Sequence, residues 1–258
     1  MALSNPHNNF RRRLLAGDCL IGTFVKTPSM MVAEVLASTD LDVVCIDAEH
    51  APFDRAAIDG CLLAYRAAEM PALVRVPSAA PEQILNALDC GATGVLVPHV
   101  DSAKKASACV AASRYGSRGR GYAGSTRAAG YGGGSIDDNI ALNHAETAVI
   151  VQIEDLAALE QIEAIASEDG IDCLFIGMMD LSVALGASSA ADPRVVNAAE
   201  KVCAAAIAQN KCLGIFVPNI ASIEYWRKRG VTLFLMSSDH AFIKQGVAQL
   251  TADARANF

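Results

Sequence analysis

The sequence predicts a single (β/α)₈ barrel spanning residues 1–258, and three observations point to it. Eight short apolar runs rich in Val, Ile, Leu and Phe recur near residues 20–25, 42–47, 72–76, 94–98, 148–153, 172–176, 212–217 and 232–236. Each run is apolar throughout rather than alternating, the pattern of a parallel strand covered on both faces. Alanine-rich segments of helical spacing separate the runs, and eight such pairs in 258 residues match the size and period of the barrel. A doubly wound nucleotide-binding sheet would place a glycine-rich turn after its first strand, and none follows residue 25.

Composition narrows the class further. With 52% hydrophobic and 19% charged residues, the chain has the material for a large core and is not disordered. A net charge of −7 gives no general attraction for nucleic acid or anionic lipid, and no run reaches the ~20 apolar residues of a membrane span. The eight cysteines are scattered singly without a CxxC pair, so they read as reduced, buried residues of a cytoplasmic protein. Arg11, Arg12 and Arg13 precede a short apolar stretch in the manner of an export signal. Asp18 interrupts that stretch and Lys26 ends it, without a small-residue cleavage site.

Helix starts are read at Pro28, at Pro81 before Glu82, and at Asp192-Pro193, where proline suits the first turn. A further helix is read over about 101–113. The interval from 114 to 147 is read as a loop near the barrel mouth, because residues 114–134 alone hold eight of the 19 glycines. Gly119, Gly121 and Gly124 match GxGxxG. No strand precedes them directly and no acidic partner follows, so the match carries little weight for phosphate binding.

In this barrel the chemistry sits at the C-terminal ends of the strands. The polar residues obey that rule: Asp47, Glu49 and His50 follow strand two, Arg75 ends strand three, and His99 follows strand four. Gln152 and Glu154 close strand five, Asp180 lies past strand six, Asn219 follows strand seven, and Asp239 and His240 follow strand eight. Glu154 and Asp180 come from adjacent strand ends; they are a ligand pair for a hard cation such as Mg²⁺ or Mn²⁺, or a solvated group and a helix cap. His50 is an acid/base candidate or a structural histidine. Arg75 binds a carboxylate or developing oxyanion, or makes a structural salt bridge. Asp89, at a helix end in LDCGATG, orients a histidine or simply closes its helix.

Taken in order, IDAEHAPFD, LVRVP, LDCGATGVLVP, VQIE and DLSVALG resemble the HpcH/HpaI family of class II pyruvate aldolases over about residues 22–239. That family includes 4-hydroxy-2-oxoheptanedioate aldolase and 2-keto-3-deoxyglucarate aldolase. The resemblance implies a divalent metal (Mg²⁺, Mn²⁺ or Co²⁺) on Glu154 and Asp180, with pyruvate and an aldehyde as substrates. It gives Arg75 the enolate and His50 the role of base, oriented by Asp89, with Asp47 close by. It lines the pyruvate pocket with Gln152 and Gly177 and puts Phe24 near the mouth. It also implies a homohexamer built from dimers. The family's GPADLS is GMMDLS here, so Met178 and Met179 stand in the pocket wall, and its PM after strand four is Pro98-His99. The rival chemistry is a Schiff base on Lys26, the lysine at the end of strand one. A third alternative is a non-catalytic barrel that binds a 2-oxo acid.

Overall fold

The computed structural model describes residues 10–258, so residues 1–9 of the expected domain lie outside it. The chain runs α1 (Phe10–Leu15), β1 (Leu20–Val25), α2 (Met30–Ala37), β2 (Val43–Asp47), α3 (Arg55–Ala67), β3 (Ala72–Arg75), α4 (Pro81–Asp89), β4 (Gly94–Val97) and α5 (Ala103–Ser113). It continues through α6 (Ile136–Glu146), β5 (Ala148–Ile153), α7 (Leu156–Glu160), α8 (Ile162–Ala166), β6 (Cys173–Ile176), α9 (Met178–Ala184) and α10 (Pro193–Ala208). Last come β7 (Cys212–Phe216), α11 (Ile223–Arg227), β8 (Leu233–Ser238) and α12 (Asp239–Arg255). The eight strands close in sequence order, with every neighbouring pair parallel and β8 returning to β1. This is the (β/α)₈ barrel.

The uniformly apolar strands are explained by two cores, one on each face of the closed sheet. Leu20, Val43, Cys45, Leu73, Leu96, Ile150, Phe175 and Leu233 fill the barrel interior. Val44, Ile46, Val74, Val95, Val151, Leu174 and Ile215 pack outward against the helices. The alternation of the two sets is the period of two of a strand. Phe10 and Leu14 of α1 join the interior core. Arg11, in the same helix, grips Asp172 with two nitrogens, Nε at 3.0 Å and Nη2 at 2.8 Å. Asp172 stands just ahead of β6, so α1 plugs the N-terminal end of the barrel and leaves the C-terminal mouth as its opening. Arg11, one of the three arginines of that stretch, is thus built into the fold. Among the described residues no helix is long and apolar enough to cross a membrane.

Local signals place most helix starts. Pro81 opens α4, and Asp192 caps α10 ahead of Pro193. The first start is displaced: Ser29 caps α2 and Pro28 lies outside it, because a hydroxyl that accepts from Val32 N–H satisfies the helix end better than proline does.

The 114–147 interval departs most from expectation. Its last part is helix α6, with Ser135 as cap. Its arginines also tie it to the outer layer rather than to the mouth. Arg127 donates to Asp59 and to the Cys90 carbonyl, and Arg114 donates to the Asn143 carbonyl. Arg11 of α1 holds the carbonyls of His144 and Ala145 at the end of α6. Guanidinium groups bonded to helix-end carbonyls secure a glycine-rich segment that composition alone reads as loose.

Candidate active site

The interior-facing positions of the strands form layers, and the candidate site is their uppermost layer. On β2 the inward series is Val43, Cys45, Asp47 and, one step past the strand, Glu49. On β3 it is Leu73 and Arg75; on β5 it is Ile150, Gln152 and Glu154; on β6 it is Cys173, Phe175 and Gly177. The series on β2, β3 and β5 are apolar at the bottom and polar at the mouth, while that on β6 ends in Gly177 beside Glu154.

Asp47 and Arg75 are register partners on β2 and β3. Arg75 Nε donates to Asp47 Oδ1 at 3.0 Å, and Nη2 lies 2.8 Å from Oδ2. Lys26 Nζ lies 2.7 Å from the same Oδ2, and the His50 backbone N–H donates to Oδ1. Burial pushes the Asp47 carboxyl upward, but the arginine, the lysine and that N–H outweigh it and hold the pKa below the usual range. The guanidinium carbon sits 4.6 Å above the centre of Phe24, whose ring also meets Phe216. Arg75 is thereby fixed on two sides, with Nε also 3.3 Å from Glu49 Oε2.

Glu154 is 2% exposed. His99 N–H donates to its Oε1 at 2.8 Å, and the Gln152 amide donates to Oε2. Burial raises its pKa, the neighbouring charge of Asp180 adds to the rise, and the two hydrogen bonds oppose it. Asp180 is exposed in the first turn of α9. Gly177 fits this corner because a Cβ there would lie 2.7 Å from Glu154 Cβ and 2.8 Å from its Oε2. A buried carboxylate beside a second one, with the Gln152 side-chain amide oxygen left without a partner, is an oxygen-rich cradle. Those donors suit a divalent ion that completes its shell with substrate and water oxygens. No group of three or more His, Cys, Asp or Glu suited to a metal occurs among the described residues.

Two histidines stand at the rim. His50 Nε2 lies 3.6 Å from Glu49 Oε2, and its side chain is 55% exposed. His99 adopts a left-handed backbone, φ 54°, with its ring between three carboxylates. Nδ1 is 3.1 Å from Asp155 and 3.4 Å from Glu154, and Nε2 is 3.7 Å from Glu49 Oε1. Burial lowers its pKa, but the three carboxylates reverse that and raise it. Burial likewise raises the Glu49 carboxyl, against the pull of Arg75, His50 and His99.

The structure thus brings together Phe24, Asp47, His50, Arg75, Gln152, Glu154, Gly177 and Asp180. Met178 is buried, while Met179 is 57% exposed. The Asp89–His50 pairing needs correction within this chain. Asp89 lies at the end of α4 that leads into the start of β4, where its charge partner is Arg120, Nε to Oδ1 3.7 Å. A barrel helix runs back from the mouth, so its last residue is carried away from the strand ends. Asp155 was missing from the expected site, and Glu49 and His99, named among the strand-end residues, had been given no role there. Glu49 was detectable by its spacing of two from Asp47, which puts both carboxylates on one face.

Known proteins resemble this chain along nearly its whole length. A model of the HpcH/HpaI aldolase/citrate lyase family matches residues 20–244. The chain is 34% identical to the hydroxypyruvate/pyruvate aldolase of Paraburkholderia phytofirmans, over 98% of this chain and 100% of that one. It is 33% identical to the 5-keto-4-deoxy-D-glucarate aldolase of Klebsiella pneumoniae, with 96% of each chain covered. A solved HpcH/HpaI aldolase/citrate lyase family protein from Burkholderia cenocepacia superposes with a TM-score of 0.90 at 33% identity, covering 96% of this chain and 99% of that one.

Proposed function

Because this chain belongs to the HpcH/HpaI aldolase/citrate lyase family, we propose that it is a divalent-metal-dependent aldolase that joins pyruvate to an aldehyde and cleaves the resulting 4-hydroxy-2-oxo acid. The observation that carries this reading is the continuity of one layer. The carboxylate pair Glu154 and Asp180 is linked through His99 and Glu49 to buried Arg75.

Glu154 and Asp180 hold the cation (Mg²⁺, Mn²⁺ or Co²⁺), which when bound supplies Lewis acidity toward the oxygens of the 2-oxo acid. Arg75, prevented from turning away by Asp47 and Phe24, directs its remaining nitrogen toward the oxygen where enolate charge develops. In cleavage His50 takes the proton of the 4-hydroxyl. The C3–C4 bond breaks, the aldehyde leaves, and its bonding pair becomes the pyruvate enolate, which is then protonated at C3. Synthesis runs in reverse. Gln152, Gly177 and Met178 wall the pyruvate side, with Met179 toward solvent. Lys26 is read as a partner of Asp47 rather than as a Schiff-base nucleophile, because its Nζ lies 2.7 Å from that buried carboxylate.

We also infer a homo-oligomer, a hexamer by family resemblance. In α12 the apolar residues Phe242, Ile243, Val247 and Leu250 are all exposed, as are Met30, Met31 and Val35 of α2. Unpaired cysteines fit a reducing compartment, and we place the enzyme in the cytoplasm. The test of function is a screen of aldehydes with pyruvate and each of the three cations. Pyruvate should be consumed with a divalent ion, and consumption should stop on exhaustive chelation and return on its replacement. Full activity in excess EDTA would remove the metal-dependent reading.

A further inference from the structure

We propose that a cavity on the outer wall of the barrel is a second binding site, and that it takes a small carboxylate with an apolar body and a hydrogen-bond donor. The cavity lies between the end of α4, residues 128–134 and α6. Gly91 and Ala92, just ahead of β4, and Thr147, just ahead of β5, belong to its wall, so it opens at the strand starts and not at their ends. None of the residues of the candidate active site lines it. Its volume is about 560 Å³, within the roughly 300–1,000 Å³ of small-molecule sites. Leu88, Ala129 and Leu142 supply apolar surface for the body of the ligand.

Arg120, in the same wall, sets the charge of the ligand. Its side chain is 1% exposed, and among the described residues Nε and Nη1 have no hydrogen-bond partner. The group is held in place all the same. Nη2 donates to the Tyr115 hydroxyl, and the guanidinium carbon lies 4.1 Å above that ring. Asp89 Oδ1 is 3.7 Å from Nε, too far for a hydrogen bond, and is likewise unsatisfied. The surrounding charge does not cover the need. Arg11 takes up both oxygens of Asp172, so Arg114 approaches that carboxylate only to 3.7 Å. Burial lowers the Arg114 pKa; Asp172 opposes this, while Arg11 and Arg120 deepen it. Arg11, Arg114 and Arg120 thus share Asp172 and Asp89, and an anion beside Arg120 Nη1 supplies the missing charge.

Asn143, on α6, adds a second polar contact. Its side-chain nitrogen donates to Thr147 Oγ1 at 2.9 Å, which leaves Oδ1 buried and without a partner. That oxygen can only accept, so it calls for a hydroxyl or N–H on the ligand. Asp138 and Glu146 also face the cavity from α6. The anionic end of the ligand is therefore directed to Arg120 and its donor end to α6.

Isothermal titration of the full-length protein with benzoate, its 3- and 4-hydroxy derivatives and phenol tests the site, with and without saturating pyruvate and Mn²⁺. Benzoate should bind once per chain whether or not pyruvate is present, and one of the hydroxybenzoates should bind more tightly. Phenol lacks the carboxylate and should bind about tenfold more weakly or worse, the effect of one charge-assisted hydrogen bond. Arg120→Gln should weaken benzoate by a similar factor. Asn143→Leu should spare benzoate and remove the advantage of the hydroxyl. Ala141 is exposed on α6 in the cavity wall, so Ala141→Trp should fill the space and abolish binding without touching the buried arginine. Circular dichroism checks the folding of each variant, and Ala141→Trp carries the test where Arg120→Gln does not fold. Absence of heat from all three benzoates, or displacement of benzoate by pyruvate, overturns the proposal. So does undiminished affinity in folded Arg120→Gln or in Ala141→Trp. Because binding and not turnover is measured, the result is independent of the aldolase reading.

Discussion

Asp47 and Arg75 face one another in the parallel register of β2 and β3, and their side chains repeat that pairing at 3.0 and 2.8 Å. The carboxylate is fully buried and the guanidinium nearly so. Such a pair is of little value as net stability, since desolvation offsets the attraction, but removing one partner leaves a buried charge uncompensated. Asp47→Ala is therefore expected to destabilise the fold by about 3–5 kcal/mol, measured by denaturant unfolding. Lys26 keeps no buried partner in that variant. A loss under about 1 kcal/mol would show that water enters the layer.

Arg75→Lys keeps the charge and loses the planar fork that meets Asp47 at two points. The expected loss in kcat/KM is ~10²-fold or more, as for removal of an oxyanion donor, with unfolding little changed. A variant that unfolds early yet keeps full activity per folded molecule would make Arg75 a structural residue.

Gly177→Ala tests the cradle directly. The added methyl would stand 2.7 Å from Glu154 Cβ and must displace that side chain. Calorimetric Mn²⁺ affinity should fall about 10–100-fold, the usual range when ligand orientation is lost, and activity should fall with it. Retained affinity would mean that Glu154 is not a ligand.

The two buried carboxylates should respond oppositely to pH. The Asp47 pKa is lowered, so its stabilisation is full above the unfolded value near ~3.9 and is lost as pH falls through the folded value. The Glu154 pKa is raised, so its charge costs stability at neutral pH, and the cost fades as pH falls through the folded value toward ~4.3. In metal-free protein Glu154→Gln should raise Tm at pH 7, and the gain should shrink on acidification. A lower Tm for that variant at pH 7 would contradict the cause assigned to the shift.

Borohydride added with pyruvate should leave the enzyme active and unmodified, because Lys26 Nζ is engaged by Asp47 at 2.7 Å. A pyruvate adduct on Lys26 by mass spectrometry would restore the Schiff-base route.

The barrel and most of its site were legible in the sequence for one physical reason. A strand covered on both faces is apolar along its length, so a polar residue at its end, such as Arg75 after Leu73 and Val74, must be there for another purpose. Glu154 and Asp180 emerge from the same logic, and the period of two extends it to Glu49. Tertiary structure alone decided the rest. Asp89 reads as a partner for His50 until the direction of α4 carries it to Arg120. The glycine-rich stretch after Arg114 reads as a loose loop until Asp59, Cys90 and Asn143 supply the groups that its arginines bind. Whether Lys26 is a nucleophile or a counter-charge depends on a carboxylate 21 positions away, brought within 2.7 Å by the closure of β1 against β2. Periodicity and strand-end chemistry are local properties that a chain displays in order. The partner of a charge is a property of the closed barrel, set by which strand lies next to which.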